Sequence, residues 1–445
     1  MIRLAASPDR KARIVEWSGP CSGQDDCAFS IDADTTVTLS VEIEPSLALG
    51  AGHACAVNHE GRLRCWGAGL AGRLGHDSEA SVGAASSVSI QAAGDIIVGA
   101  PVLDVGAGTY NTCAITDTRA LRCWGGNSFG QLGYGTVIDV SDDLGPTIVQ
   151  AGDVPVGGLV RKVVGGFQHT CALLESGAVR CWGRASEGQL GYGNTTQVGD
   201  GVGPSISVAG DVPLGFSAID LCAGRFHNCA VSTTGAVRCW GHGLEGQLGQ
   251  GTVMVIGDGV GPSIDEAGDV PIGGPAVRAI ECGATHTCAT TTADTTRCWG
   301  AGASGQLGYN DTLNVADGGR TIGQVGAVPV GGAVARAYAG GAHSCALMVS
   351  GAVRCWGNGL HGRLGYDATE DVGDDVTRSI QLAGDVPIGV AAVRLSIGTG
   401  AHSCVITEFE TVRCWGSGAT GYGIDMNVGD GTGPSIVQAG DVVVW

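Results

Sequence analysis

Thiols recurring at one fixed interval are the most conspicuous chemistry in this 445-residue chain. Fourteen of its 18 cysteines form seven pairs ten positions apart: Cys55/Cys65, Cys113/Cys123, Cys171/Cys181, Cys229/Cys239, Cys288/Cys298, Cys345/Cys355 and Cys404/Cys414. Such a pair can close a disulfide or give a metal two of its ligands. Histidine stands two places before the first cysteine in six copies (His53, His169, His227, His286, His343, His402), with Asn111 in the other. An imidazole ring around a pore invites a metal, but no acidic or cysteine partner lies at ligand spacing, so each His is read as bonding within its own unit. Arginine precedes every second cysteine, at Arg64, Arg122, Arg180, Arg238, Arg297, Arg354 and Arg413. A charge repeated in packed strands needs a carboxylate, and the Ala-Gly-Asp motif supplies Asp95, Asp153, Asp211, Asp269, Asp385 and Asp441, with Ala327 replacing it once. Eleven positions upstream stand Asp142, Asp200, Asp258, Asp374 and Asp430. Carboxylates in Gly-rich loops hold calcium in some proteins; more commonly they make turns, the reading preferred here.

These residues require a repeating element to position them. Cys-Trp-Gly occurs seven times at intervals of 57 to 59 residues, the signature of one supersecondary unit in tandem. One copy runs from Val163 to Leu174, turns at Glu175-Ser176-Gly177, and continues from Ala178 to Gly183. Both runs alternate with period two around a Gly-containing turn, which predicts a hairpin with Leu173 opposite Val179 and Cys171 opposite Cys181. Cysteines directly opposite on antiparallel strands are within disulfide reach, whereas one hairpin gives zinc only two ligands, so disulfides are expected. The remainder of each unit leaves room for two more strands. The expected fold is all-β: a seven-bladed β-propeller of four-stranded antiparallel blades over 46–445, one disulfide per blade. The seven Trp after the second cysteines (Trp66, Trp124, Trp182, Trp240, Trp299, Trp356, Trp415) fit buried inter-blade packing better than sugar platforms.

His-x-Cys-Ala, Gly-x-Val-x-Cys-Trp-Gly and Gly-Gln-Leu-Gly, in that order, resemble the repeats of the regulator of chromosome condensation family. The resemblance spans about residues 46 to 445 and implies a disc whose loop-bearing faces bind proteins. The family's founding role, nucleotide exchange on a small GTPase together with docking on chromatin, transfers poorly. Exchange implies an insertion protruding from the ring, and these copies differ by only two residues in length. The better precedent is the secreted bacterial propeller-type inhibitor of β-lactamases, from which only the mode of action is borrowed. Residues 1–45 resemble the tail of a small extracellular bacterial β-repeat, carried by Trp17-Ser18-Gly19-Pro20-Cys21-Ser22-Gly23, Cys27 and Val37-Thr38-Leu39. They are read as a truncated neighbour plus linker, with Cys21–Cys27 as its local disulfide.

The formal charge is −19, from 43 acidic and 24 basic residues, and such a field repels nucleic acid and anionic membranes. Abundant paired cysteine points to an oxidising compartment, outside the cell or on its surface. Met1-Ile2-Arg3-Leu4 does not open a signal peptide, so a removed signal or a longer parent chain is expected. No catalytic constellation stands apart from the repeats, and a residue present in every blade is a poor single active centre. The expected function is a secreted, monomeric, non-enzymatic scaffold that grips a protein through loops on one face. The alternatives are a carbohydrate- or calcium-binding surface module and, behind it, an exchange factor. Loop residues that differ between blades are the candidate contacts: Phe129, Arg184, His242, Leu244, Leu360 and His361. Cys222 and Cys282 either bridge consecutive blades or remain free. Ring closure is open too: the end copies abut, or a strand from 36–49 completes the last blade.

Overall fold

Each hairpin forms where the alternation places it. In the third copy His169–Leu174 pairs antiparallel with Val179–Gly183, with Cys171 opposite Cys181 and Leu173 opposite Val179. A further strand, Val160–Gly165, pairs with the other edge of His169–Leu174. The computed structural model describes residues 2–4, 12–18, 27–29, 38–418 and 420–445, with side chains from Ile43 onward. It holds seven such three-stranded sheets, blades 1 to 7, whose first strands begin at Ser46, Val102, Val160, Ala218, Val277, Val334 and Ala392. These inner strands contact one another in sequence, the last returning to the first, so the blades close a ring. The expected Cys21–Cys27 bridge and the reading of residues 1–45 fall outside the described side chains.

The expected fourth strand is reduced to single bonds. The Val154 amide donates to Leu121 O at 2.8 Å, and its counterpart recurs in all seven blades, from Ile96 to Leu63 through Val442 to Val412. The chain between forms one helical turn instead, such as Ile148–Ala151. Thr147 and Gln150 cap it reciprocally, and Gly152 ends it at φ +75°, so local capping outweighs strand pairing there.

Every Cys-x9-Cys pair is joined across its hairpin. Cys55–Cys65 staples blade 1, Cys113–Cys123 blade 2, Cys171–Cys181 blade 3 and Cys229–Cys239 blade 4. Cys288–Cys298, Cys345–Cys355 and Cys404–Cys414 do the same for blades 5, 6 and 7. The S–S distances are 2.02 to 2.15 Å and the Cα atoms stand 4.0 to 4.1 Å apart, as direct opposition on neighbouring strands requires. Cys222 and Cys282 also join, linking the inner strands of blades 4 and 5.

The repeated histidines do not bond within their own blades as expected. His53 Nε2 meets Thr112 Oγ1 of the next blade at 2.8 Å, and His169, His227, His286 and His343 reach Asn228, Thr287, Ser344 and Ser403 likewise. Asn111 does the same work through Thr170 at 3.2 Å. The receiving side chain sits opposite the blade's Trp, and both donate to one carbonyl of the preceding blade. Thr170 Oγ1 and Trp182 Nε1 donate to Gln131 O at 2.8 and 2.9 Å; Asn228 and Trp240 donate to Gln189 O. The second glycine of Gly-Gln-Leu-Gly is required by the same contact: a Cβ on Gly191, at φ +80°, would lie 2.9 Å from the Trp240 indole. Ridge and socket are thereby encoded in every repeat.

The ring closes by abutment, not strand exchange. Arg64 Nη1 donates to Val444 O at 2.5 Å, as Arg122 does to Val98 O, so the last copy stands to blade 1 as any copy stands to its successor. Trp445 lies under the guanidiniums of Arg62 and Arg64, and Gln91 bonds its carbonyl. The seam lacks one clamp: Ala54 stands where the other blades carry the acceptor, and buried His402 Nε2 has no hydrogen-bond partner among the described residues.

Two outcomes follow from these clamps. Burial lowers the imidazole pKa to about 3 for His53 and His227 and to about 4 for His169, His286 and His402. The unfolded chain, titrating near 6.5, therefore gains protons first as pH falls; stability is full above that value and drains between about 6.5 and 4. His169→Asn, the substitution that Asn111 represents, should keep the fold and reduce this slope by one proton, about 1.4 kcal/mol per pH unit, in denaturant titrations across the window. An unchanged slope contradicts the assignment. Ala54→Ser should supply the missing acceptor and raise unfolding free energy by about 1 kcal/mol, read from the denaturant midpoint at neutral pH.

Candidate functional site

The repeated polar residues are consumed by the architecture. Six of the seven arginines meet the aspartate of their own repeat at 2.6 to 2.9 Å, from Arg64–Asp95 to Arg413–Asp441. Arg297, whose repeat carries Ala327, bonds the carbonyls of Ile272 and Ile322 instead. The upstream aspartates make turns: Asp200 accepts from the amides of Val202 and Gly203, and Asp258 and Asp430 repeat the arrangement. Asp142 does so with Leu144 and Gly145, while Asp374 pairs with Arg378. All seven repeat Trp are fully buried, so none is a sugar platform.

The hairpin cysteines are interior as well. Cys65, Cys123, Cys181, Cys239, Cys298, Cys355 and Cys414 on the outer strands are buried, as are their partners Cys55, Cys113, Cys171, Cys229, Cys288, Cys345 and Cys404 on the middle strands. Oxidised and out of solvent, they staple the blades and offer a partner no contact. Among the described residues one group of sulfur, imidazole or carboxylate ligands converges closely: Cys222, Cys229 and Cys282, all buried. Each is held in a disulfide, so no thiolate is offered.

On the ring axis the inner strands enclose a cavity of about 530 Å³. Most of its charge is matched internally. Lys162 of blade 3 reaches Asp220 of blade 4 at 2.7 Å, and Arg336 of blade 6 bridges Asp220 at 3.1 Å and Glu281 of blade 5 at 2.5 Å. Burial alone would raise the Asp220 carboxyl; Lys162 and Arg336 instead hold it at about 2. The axis is braced by this network.

The unmatched chemistry lies on one face, across blades 2 to 4. There the turn from inner to middle strand carries Thr109-Tyr110, Phe167-Gln168 and Arg225-Phe226. The same turn holds Ala51-Gly52, Ala284-Thr285, Gly341-Ala342 and Gly400-Ala401 in the other four blades. Tyr110 and Phe167 stack edge to face with centroids 5.6 Å apart, Phe167 and Phe226 at 5.3 Å, and His242 continues the row beside Phe226 at 6.4 Å. Two guanidiniums lie on these rings. Arg225 covers Phe167 and Phe226 at 5.1 and 5.2 Å, and Arg184 covers Phe226 and Phe129 at 5.3 and 5.5 Å. Arg184 is fixed further by Gln168 Oε1 and Ser186 Oγ. The loop after each outer strand reaches this face because its first amide bonds the inner turn: Arg184 N to Gln168 O, His242 N to Phe226 O.

Phe129, Arg184 and His242 are thus brought together, with Leu244 exposed two positions beyond His242. Leu360 and His361, also exposed, belong to the corresponding loop of blade 6, outside the three blades that carry the row. Tyr110, Phe167, Arg225 and Phe226 were missed in the sequence. The available signal was positional: two residues after the inner-strand glycine, large in three consecutive copies and small in four.

Comparison with known proteins agrees with this architecture. The family profile "Regulator of chromosome condensation (RCC1) repeat" matches residues 102–131, 160–189, 218–247 and 334–363, each the heart of one blade. The ultraviolet-B receptor UVR8 of Arabidopsis thaliana is 31% identical over 274 residues, covering 60% of this chain and 55% of the receptor. The E3 ubiquitin-protein ligase HERC2 of Mus musculus is 33% identical over 249 residues, 55% of this chain and 5% of the ligase. The chain therefore matches about half the length of the plant receptor and a small part of the ligase. Among solved structures, human WBSCR16 superposes with a TM-score of 0.62 at 20% identity over 82% of this chain and 87% of that one. Prp20p from Saccharomyces cerevisiae, described with its binding properties to Gsp1p and histones, gives 0.60 at 18% over 85% and 82%. Four of the seven sheets in the ring match the profile, so these blades carry regulator of chromosome condensation repeats.

Proposed function

We propose that this propeller is a non-enzymatic scaffold, working as a monomer in an oxidising extracellular setting, that binds a protein partner through the face of blades 2 to 4. The carrying observation is the asymmetry of that face. Side chains shared by all blades are buried in clamps or matched in ion pairs, whereas Tyr110, Phe167, Arg225, Phe226, Phe129, Arg184 and His242 form one contiguous surface in three blades. Aromatic and arginine side chains are the types that dominate interface energies, because they bury large area at small entropic loss. A partner needs such asymmetry to seat in one orientation on a pseudo-sevenfold disc. The compartment is supported by the eight disulfides among the described residues, which a reducing cytosol would keep open. No helix among the described residues is long and apolar enough to cross a membrane.

Two measurements check this. A random linear peptide library displayed on phage and selected on the immobilised full chain should yield binders that lose at least about 10-fold in affinity for Phe167→Ala/Phe226→Ala, the loss of one or two stacked contacts with their buried area. Binders indifferent to that variant place the binding face elsewhere. Intact mass of protein taken from its native source, alkylated with and without prior reduction, should show alkylation of the Cys-x9-Cys pairs only after reduction. Free thiols there would return the protein to a reducing compartment.

A further inference from the structure

We infer that the partner segment received on this face is acidic, with apolar side chains flanking its carboxylates; this rests on the binding reading above and specifies its chemistry. Arg225 is exposed and lies on two rings, and its guanidinium has neither a hydrogen-bonding nor an ion-pairing partner among the described residues. Arg184 donates directly to Gln168 and Ser186, and the Ser186 hydroxyl donates in turn to Glu187. Most other cations of the chain are matched with acids, among them six repeat arginines, Lys162, Arg278, Arg320, Arg336 and Arg378, while Arg73, Arg297 and Arg363 donate to main-chain carbonyls. In a protein of net charge −19, two neighbouring guanidiniums stacked on one aromatic row without a direct carboxylate partner form a local basic spot at the surface. Stacking uses the flat face of the Arg225 guanidinium and leaves its in-plane N–H fork free, and that fork fits a carboxylate bidentately. The rings also hold each guanidinium in place, so little freedom remains to be lost on binding. The protein's other charges do not annul this attraction, since those beyond about 8 Å are screened at physiological salt.

The flanking apolar contacts come from a second feature, most fully exposed in these three blades. Leu144, Val202 and Val260 stand at the tip of the Asp turn in blades 2, 3 and 4 and are 95%, 94% and 93% exposed. The same tip carries Val376, 71% exposed, in blade 6, Thr432 in blade 7 and glycine, Gly318-Gly319, in blade 5. These turns belong to the aromatic face: a Cβ on Gly130, beside Phe129, would lie 2.6 Å from the Asp200 backbone, and one on Gly188 would lie 2.8 Å from that of Asp258. An aliphatic side chain so fully in water contributes little to the fold, and those of Val202 and Val260 stand in turns that pack against the loops of Phe129 and Glu187. Nucleic acid could also satisfy the guanidiniums, but it would leave these aliphatic side chains unused and would carry its charge across the acidic remainder of the disc.

The test sequences the peptides selected on the full chain and repeats the selection on Arg184→Gln/Arg225→Gln, with Arg225→Gln alone as a milder variant at an exposed position. Binders to the native face should be enriched in Asp and Glu next to aliphatic residues. That enrichment should vanish on the double variant, and replacing their acids by amides should weaken binding at least about 10-fold at low salt, with the difference narrowing as salt is raised. If binders depend on Phe167 and Phe226 yet show no acidic enrichment, the face still binds protein and the acidic assignment is overturned. If no binder depends on either pair, the binding reading itself falls. A labelled single-stranded oligonucleotide that binds the full chain and is lost with Arg184→Gln/Arg225→Gln would overturn the acidic-peptide assignment in favour of a polyanion.

Discussion

One main-chain carbonyl joins each blade to the next. In the second blade it is Gln131 O, which receives the Thr170 hydroxyl and the Trp182 indole from the third. All of these atoms are buried, and a buried donor left without an acceptor destabilises by about 1–3 kcal/mol, so the two blades must sit in one relative position. The imidazole or amide of the preceding blade completes the circuit by donating to that same hydroxyl. Each blade is socket to its successor and ridge to its predecessor, and stability of this kind is a sum over neighbouring interfaces.

Because that circuit occupies the same residue types in each blade, those residues are unavailable for recognition. Histidine, tryptophan, arginine and the acidic turns each look functional in isolation. Once placed, the first two are interior, the third is tied to the aspartate of its own repeat, and the fourth shapes backbone. Recognition falls to positions where copies differ, and those differences gather in blades 2 to 4. A ring of near-identical units gains a direction only through such a departure.

The covalent bonds divide into two kinds. The seven hairpin disulfides close loops of ten residues and constrain the unfolded chain locally, by about 2.7 kcal/mol each in the loop-entropy description. Cys222–Cys282 closes sixty residues and ties two blades together, an entropic effect of about 4.3 kcal/mol on the same basis. It lies next to the Lys162–Asp220–Arg336–Glu281 network, so blades 3 to 6 are braced at the axis. The seam between blades 7 and 1 relies on noncovalent contacts: Arg64 with Val444, Trp445 under two guanidiniums, and Arg394 with Glu44.

The seven blades, their hairpin register, the opposed cysteines and the Arg–Asp bridges were legible in the residues alone, because all are set by short-range spacing. Period-two alternation fixes which side chains oppose across a tight turn, and a repeat copied seven times announces its own boundaries. The fourth strand was misjudged, since local capping by Thr147 and Gln150 wins over pairing, a competition that composition does not display. The direction of the histidine bonds was hidden for another reason: partners such as His169 and Asn228 are 59 residues apart and meet only when two blades pack. The aromatic and guanidinium row was hidden in the same way. Tyr110, Phe167, Phe226 and His242 come from separate repeats, and only closure of the ring, which carries equivalent turns to one face, makes them neighbours.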